Sequence, residues 1–134
     1  MKYEILEHKA DLKIRVFGKT KEELFKNALL AMNENMKAKM KFFSRRIRKE
    51  IKVNSIDFNT LLIDFLSEVL ALSQISRAVY SISKFKKFID TELEVELIGK
   101  KISRFGEDIK AVTYHELEVK KENNIWQAVI LFDI

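Results

Sequence analysis

The sequence contains no cysteine and no proline, and only three of its 134 residues are glycine. Without cysteine there is no disulfide framework, no thiolate zinc site and no cysteine nucleophile. This also fits a reducing compartment, so we expect a cytoplasmic protein. No basic segment followed by an apolar run opens the chain, so we expect no secretory signal. No apolar stretch approaches the roughly 20 residues of a membrane span, and we therefore predict no membrane-crossing segment.

The scarcity of glycine limits the chemistry that the chain can carry. Gly18, Gly99 and Gly106 lie far apart, so no glycine-rich loop is available to hold a nucleotide phosphate. The sequence also lacks the GxSxG element of serine hydrolases and the paired histidines of zinc-protease helices. Nucleotide-dependent and triad catalysis therefore have no local signature.

Positive charge is abundant but confined to one segment. The chain has 25 Lys and Arg residues against 20 Asp and Glu, a formal net charge of +5. Residues 37–52, the basic segment, contain eight cations and one acid, a local balance of +7 that leaves −2 for the other 118 residues. Such a segment is typical of a charged edge strand that avoids stray pairing, or of a patch that binds phosphates or an acidic protein. The candidate patch residues are Arg45, Arg46, Arg48 and Lys49.

The aromatic residues of the basic segment favour the charged edge strand. Single-strand-binding proteins space aromatic side chains along a basic groove. Here Phe42 and Phe43 are adjacent rather than spaced. A simple RNA-binding module that uses residues 37–52 nevertheless stays an alternative function.

Two helices are predicted from capping residues and apolar periodicity. Thr20 with a glutamate three residues later forms a capping box, and the apolar residues that follow recur at helical spacing to about Met36. A second helix begins near Asp57 and carries a broader apolar stripe, which indicates burial between a sheet and other elements. Its other face carries Asp64 and Glu68, which point the same way because they are four residues apart.

Strands account for most of the remaining chain. Alternating apolar and polar residues predict strands at residues 12–17, 47–54, 79–88, 93–98, 110–121 and 125–133. Residues 122–124 (Glu-Asn-Asn) supply the turn of a hairpin between the last two. No helix separates most successive strands, so the sequence predicts a single α+β domain over residues 1–134, with a largely antiparallel sheet packed against two main helices.

Few residues are candidates for chemistry. His8 lies three residues before Asp11, and such a pair is more often structural than catalytic. His115 falls inside a predicted strand, where a partly buried, hydrogen-bonded side chain is the simplest interpretation. At the other end, Asp133 and the main-chain oxygens of Ile134 are hard oxygen ligands suited to Ca²⁺ or Mg²⁺. From chemistry alone a simple strand end is favoured, because two carboxylates do not make a site.

Three separated stretches together resemble the archease family. They are residues 7–12 (EHKADL), residues 61–70 (LLIDFLSEVL), and residues 109–115 (IKAVTYH) with residues 132–134 (FDI). They are similar to that family's Glu-His-Thr-Ala-Asp signature, its central leucine-rich helix, and its Lys-Ala-x-Thr-Tyr-His and Phe-Asp-aliphatic endings. They occur in the family's order and span nearly the whole chain.

The resemblance implies a protein cofactor without catalytic activity of its own. Archeases assist the GTP-dependent tRNA-splicing ligase, accelerating its guanylylation and supporting repeated turnover, and they bind a divalent metal, often calcium. Carried over to this chain, the metal ligands are Asp11, Asp133 and Ile134, which implies that the chain ends at Ile134. Residues expected to orient these ligands or to contact the ligase are His8, Asp64, Glu68 and His115.

Two lysines depart from the family's pattern near the expected metal site. Lys9 replaces the usual threonine, and Lys13 stands where glycine is common. Lys13 is expected on the same strand face as Asp11, where an ammonium would repel a metal unless its flexible stem carries it outward. A metal-dependent hydrolase that uses these carboxylates to activate water is a further alternative function, though the chain offers few convergent ligands for it.

Overall fold

Eight strands and two helices make up the fold, which a computed structural model describes over residues 1–134. In chain order the elements are β1 (Tyr3–His8), β2 (Asp11–Gly18), α1 (Lys21–Asn35), β3 (Lys39–Met40), β4 (Arg46–Asn54), α2 (Phe58–Ser76), β5 (Ala78–Ile89), β6 (Glu92–Arg104), β7 (Ala111–Glu122) and β8 (Ile125–Asp133). One sheet has the order β1-β2-β8-β7, and in the other β6 pairs with β3, β4 and β5. All strand pairs are antiparallel, which confirms the predicted α+β class.

Both helices begin where their capping residues predict. The Thr20 hydroxyl accepts the backbone N–H of Glu23, and the Asp57 carboxylate accepts that of Thr60, so each cap satisfies one of the unpaired donors of a first helical turn. Hydrogen bonding to the Thr60 backbone holds the pKa of Asp57 below its usual range. Helix α2 ends at Ser76, and the capping residue Arg77 has the left-handed conformation (φ 50°).

The helices join the two sheets into one core. Each helix contacts strands of both sheets, and a single cluster of 28 buried residues runs through them. Phe25 of α1 lies at its centre, with ring centroids 5.5 Å from Phe58, 5.6 Å from Phe65 and 4.8 Å from Phe88. Burying one such ring contributes about 2–3 kcal/mol. The broad apolar stripe of α2 is therefore used on both sides, as predicted.

Helix α2 contradicts the prediction that no apolar stretch approaches the length of a membrane span. Its 19 residues, Phe58–Ser76, are long and apolar enough to cross a bilayer by composition alone. In this fold 44% of the helix's most apolar window is buried, and the helix packs against both sheets. A core helix meets the same criterion, so the composition of α2 is explained by its place in the core.

The alternation of apolar and polar residues in β2 follows from the two faces of the first sheet. In β2, Leu12, Ile14 and Val16 are buried, and opposite them in β8 are Phe132, Ile130 and Ala128. The intervening β2 residues face outward and are partly exposed. Because side chains alternate between faces, this register places every other β2 residue on one outer surface, beginning with Asp11.

Several strand boundaries differ from those predicted. The sequence did not predict β1 or the two-residue β3, and β6 runs to Arg104 rather than ending near residue 98. The final hairpin turn contains two residues, Asn123 and Asn124, because Glu122 already pairs with Ile125. Both asparagines have positive φ (52° and 62°), as the commonest two-residue hairpin turn requires.

Candidate functional site

The two ends of the chain meet at one edge of the first sheet. Asp11 of β2 and Asp133 of β8 are direct register partners, although 122 positions separate them in sequence. Direct partners in antiparallel strands have Cβ atoms about 4.5–5.5 Å apart. Both carboxylates belong to the outer face, since their neighbours Leu12 and Phe132 are fully buried. We call Asp11, Asp133 and Ile134 the acidic tip.

Hydrogen bonding and packing hold the acidic tip in place. The backbone N–H of Lys110 donates to the Asp133 carbonyl oxygen at 2.8 Å. The Ile134 side chain is partly buried and packs against the core cluster. The Asp133 carboxylate is therefore exposed to solvent, whereas the apolar side chain of Ile134 packs inward. The main-chain oxygens of Ile134 directly follow the end of β8, which the hydrogen bond from Lys110 holds in place.

An ion pair neutralises Lys13, which lies on the same strand as Asp11. The burial pattern of β2 puts Lys13 on the same outer face as Asp11. Its Nζ atom lies 3.2 Å from Oε2 of Glu116, and it makes no ion pair with Asp11 or Asp133. The ammonium thus has a carboxylate of its own, which offsets the positive charge that Lys13 brings to this face.

A bulge in β7 brings Glu116 to this position. The register of β7 with β8 changes from Thr113 opposite Leu131 to Glu118 opposite Val129, so residues 114–117 face a single residue of β8. Glu116 has a φ of 58°, in the left-handed region that costs a non-glycine residue about 1–2 kcal/mol. The bulged strand turns its side chains away from the regular alternation. The strand predicted over residues 110–121 is present as β7, and the bulge is a feature that the prediction did not include.

Asp64 of α2 anchors the bulge. The Tyr114 hydroxyl donates to Oδ1 of Asp64, and the Ser55 hydroxyl donates to Oδ2 at 2.5 Å. The hydrogen bond to Asp64, helped by desolvation and by the charge of that carboxylate, raises the pKa of Tyr114 to about 12. Asp64 therefore connects the start of α2 to the strand that presents Glu116.

The other residues predicted around the tip have different surroundings. His8 lies 3.5 Å through Nε2 from Oε1 of Glu107, so its partner is not Asp11. His115 lies within a strand as predicted, but at the bulge it is exposed rather than partly buried; its backbone N–H donates to the Thr113 hydroxyl. Glu68 is exposed on α2 and has no ion-pair or hydrogen-bond partner.

The donor set of the acidic tip suits a hard cation, with one restriction. No group of three or more His, Cys, Asp or Glu side chains lies together as a metal cluster. Asp11 and Asp133 supply two carboxylates, so a third protein donor has to come from the main-chain oxygens of Ile134. Three oxygen donors with water completing the shell fit Ca²⁺ or Mg²⁺ rather than zinc.

The four candidate patch residues do not form one patch. Arg48 forms an ion pair with Glu96 at 3.3 Å. Lys49 lies, by strand alternation, on the opposite face of β4 from Arg46 and Arg48. Arg45 and Arg46 are exposed and have no carboxylate partner.

Sequence reasoning missed Tyr114, Ser55 and Glu116. Lys13 gave a signal for Glu116, since a lysine expected beside two carboxylates requires a counter-charge, and Tyr114 lies in the motif at residues 109–115. The sequence did not indicate which glutamate supplies it, because the bulge that brings Glu116 there depends on contacts with α2.

The chain is similar to known proteins over nearly its whole length. A model of the Archease protein family matches residues 3–134. The protein archease of Methanosarcina barkeri is 35% identical over 140 residues, which cover 98% of this chain and 95% of that protein. The protein archease of Methanosarcina mazei is 36% identical over 141 residues, which cover 99% of this chain and 96% of that protein.

Two solved structures share the fold. The solution structure of protein 1598 of Methanobacterium thermoautotrophicum superposes with a TM-score of 0.68 and 27% identity, and the match covers 99% of both chains. A crystal structure from Thermotoga maritima, described as an archease and possible chaperone, has a TM-score of 0.69 over 98% of this chain and 96% of that one. Its 22% identity supports the fold alone.

Proposed function

Because this chain belongs to the archease family, we propose that it activates the GTP-dependent tRNA-splicing RNA ligase as a protein cofactor and has no catalytic activity of its own. The acidic tip is the part that acts on the ligase, promoting guanylylation and repeated turnover. The partner is the ligase, and any contact with tRNA is secondary.

The pairing of Asp11 with Asp133 is the observation that carries this proposal. Two like charges placed directly opposite each other destabilise a sheet. A positive charge bound from outside the fold would remove that repulsion. The chain neutralises Lys13 with Glu116 but provides no cation for these two carboxylates. The tip is therefore suited to a divalent cation or to a cationic surface of the partner.

In the proposal, Asp11, Asp133 and the main-chain oxygens of Ile134 hold a divalent metal, with calcium the first choice. Bound there, the metal would place positive charge at the protein's edge, next to the phosphates of the ligase's nucleotide. The remaining residues position these donors. Lys110 fixes the Asp133 carbonyl, and the Asp64 network holds the bulge that keeps the Lys13 ammonium on Glu116.

Ligase guanylylation under multiple-turnover conditions tests the proposal. Asp11→Asn and Asp133→Asn remove the charges while keeping the side-chain shape, and we expect each to abolish most of the stimulation. Asp108→Asn is the matched control for Asp133→Asn, because Asp108 is likewise exposed, lies near the start of β7 and has no ion-pair partner. A glycine-serine extension after Ile134 should act like the tip variants by altering the donor set.

Two results would contradict the proposal. Full stimulation by both tip variants would show that the tip is not used. Hydrolysis of a phosphodiester or ester substrate by the isolated protein, lost in the tip variants, would instead favour the metal-dependent hydrolase. Two measurements separate a role of the metal from a role of the carboxylate charge. Calorimetric titration with Ca²⁺ measures metal binding by the protein alone. If the tip binds the ligase without metal, the protein should stimulate the ligase fully in the presence of chelator.

A further inference from the structure

The loop between β3 and β4 exposes two aromatic rings side by side. Phe42 is 88% exposed and Phe43 is 91% exposed, and their ring centroids lie 4.4 Å apart at an interplanar angle of 67°. Consecutive residues of an extended strand point to opposite faces. Phe43 has a φ of 60°, and this left-handed turn lets the adjacent rings meet. Their adjacency in sequence therefore does not prevent a joint surface.

The loop is attached to the middle of a cationic stretch of β6. The backbone N–H of Lys41 donates to the Lys101 carbonyl at 3.4 Å, and the Ser44 hydroxyl donates to the same carbonyl at 3.1 Å. These two bonds hold both ends of the loop over one peptide group. The rings consequently have a defined place on the sheet rather than being part of a free tail.

Two like-charge pairs flank this attachment point. Lys39 of β3 lies opposite Arg104 of β6, and Arg46 of β4 lies opposite Lys100 of β6. None of these four cations has a carboxylate partner. Like charges directly opposite each other destabilise a sheet. We call these four cations together with Phe42 and Phe43 the cationic platform.

Elsewhere in the same sheet cations do have carboxylate partners, so their absence is confined to the region around the loop. Further along β4 two of the three cations are matched, since Arg48 lies 3.3 Å from Glu96 and Lys52 lies 3.2 Å from Glu94, whereas Lys49 lies on the other face of the strand. The acids of β6 thus neutralise one half of the sheet and leave the other half positive. A charged edge that served only to prevent stray pairing would not need two water-exposed rings at its positive end.

We propose that the cationic platform binds single-stranded nucleic acid, which goes beyond the proposed action on the ligase and does not depend on it. Bases stack on the Phe42 and Phe43 rings, and Lys39, Arg46, Lys100 and Arg104 contact the phosphates. Exposed aromatic rings beside unpaired cations are the combination that single-stranded nucleic acids require. An acidic protein is the less favoured ligand, because protein interfaces are depleted in lysine at their centre, and Lys41 directly precedes these rings.

Fluorescence anisotropy of the full-length protein with labelled oligouridine and oligodeoxythymidine of about ten nucleotides tests the proposal. Phe42→Ala and Phe43→Ala should each weaken binding by about 5- to 150-fold, the range of base stacking on one aromatic ring. Ile75→Ala is the matched control, since Ile75 is 82% exposed on α2, outside the platform. Tighter binding of oligouridine would identify RNA as the ligand, and tighter binding of oligodeoxythymidine would identify DNA.

The salt dependence of binding tests the cations separately from the rings. Four phosphate contacts predict a slope of log K against log salt of about −3 for a single strand, and Arg46→Ala should reduce the slope by about 0.7. Lys52→Ala should leave the slope unchanged, because Lys52 already has a partner in Glu94. Polyphosphate, which has no bases, should bind the phenylalanine variants as tightly as the unmodified protein.

Three outcomes would overturn the proposal. The first is oligonucleotide binding that the phenylalanine variants leave unchanged. The second is an equal loss of polyphosphate binding in those variants, which would indicate a structural effect of the substitutions. The third is polyglutamate binding as tight as that of either oligonucleotide, which would identify the platform as a contact for acidic proteins.

Discussion

The hydrogen bond between Tyr114 and Asp64 makes a measurable prediction about the bulge of β7. Tyr114 has a pKa raised from 10.0 to about 12, chiefly because its hydroxyl donates to the Asp64 carboxylate. A shift of two pKa units corresponds to about 2.7 kcal/mol. Because the Tyr114 side chain is 55% exposed, solvent screening reduces its share of stability, and we expect about 1 kcal/mol.

The sign of the pH dependence follows from the raised pKa. The protonated hydroxyl is favoured in the folded state, so the stabilisation is complete below pH 10 and is lost as the pH rises from 10 towards 12. At neutral pH, Tyr114→Phe should lower the free energy of unfolding by about 1 kcal/mol. For a chain of this length the melting temperature should fall by about 3–5 °C.

Two measurements check this prediction. Tyrosinate absorbance is titrated for the unmodified protein and for Tyr114→Phe, and the difference isolates Tyr114 from the other tyrosines. Asp64→Asn should return the pKa of Tyr114 towards 10, whereas Tyr3→Phe should not change it, since Tyr3 bonds to Glu34 instead. Urea unfolding of Tyr114→Phe, of Asp64→Asn and of the variant with both substitutions measures the coupling energy between Tyr114 and Asp64 directly.

A Tyr114 that titrates near pH 10 in the unmodified protein would refute this reasoning. A coupling energy of zero in the double-mutant cycle would refute it as well, because the effect of Tyr114→Phe would then come from packing alone. In either case Asp64 would not anchor the bulge, and the position of Glu116 beside Lys13 would need another explanation.

Three further predictions concern the first sheet and its helices. Gly18→Ala should destabilise the protein by about 1–3 kcal/mol in urea unfolding, because a Cβ atom there would lie 2.4 Å from the backbone nitrogen of Leu24; an unchanged midpoint would contradict the close packing. The helix cap at Asp57 should stabilise α2 at pH values above the ordinary pKa of 3.8 and lose that effect as the pH falls through the lowered pKa, whereas Asp57→Asn should show no such acid dependence in circular dichroism. Glu116→Gln should weaken Ca²⁺ binding at the acidic tip in calorimetric titration, because it leaves the Lys13 ammonium unpaired; equal affinity would show that this charge does not reach the tip.

Much of the fold was predictable because its signals are local. Thr20 and Asp57 cap the helices as their sequence contexts indicate, and the alternation of Leu12, Ile14 and Val16 gives the correct face of β2. The Asn123–Asn124 turn also depends on neighbouring residues only. Family membership followed from motifs that lie far apart in sequence, and the family match over residues 3–134 confirms it.

The details of the candidate site were not predictable because they depend on contacts between distant elements. The bulge at residues 114–117 is held by Asp64 on α2. The ion pair between Glu116 and Lys13 needs β2 and β7 to be paired on either side of β8. The meeting of Phe42 and Phe43 depends on one left-handed residue that no glycine or asparagine marks. Local patterns carry no information about either arrangement.

The position of β8 between β2 and β7 affects how the protein folds during synthesis. Residues 21–104 contain both helices and all strands of the second sheet, so every strand pair of that sheet has both members once residue 104 has been translated. The first sheet is incomplete at that point, because β8, the partner of β2, is synthesised more than 100 residues after β2. Until β8 has been synthesised, the apolar face of β2 and the adjoining side of α1 lack the part of the core that β8 supplies.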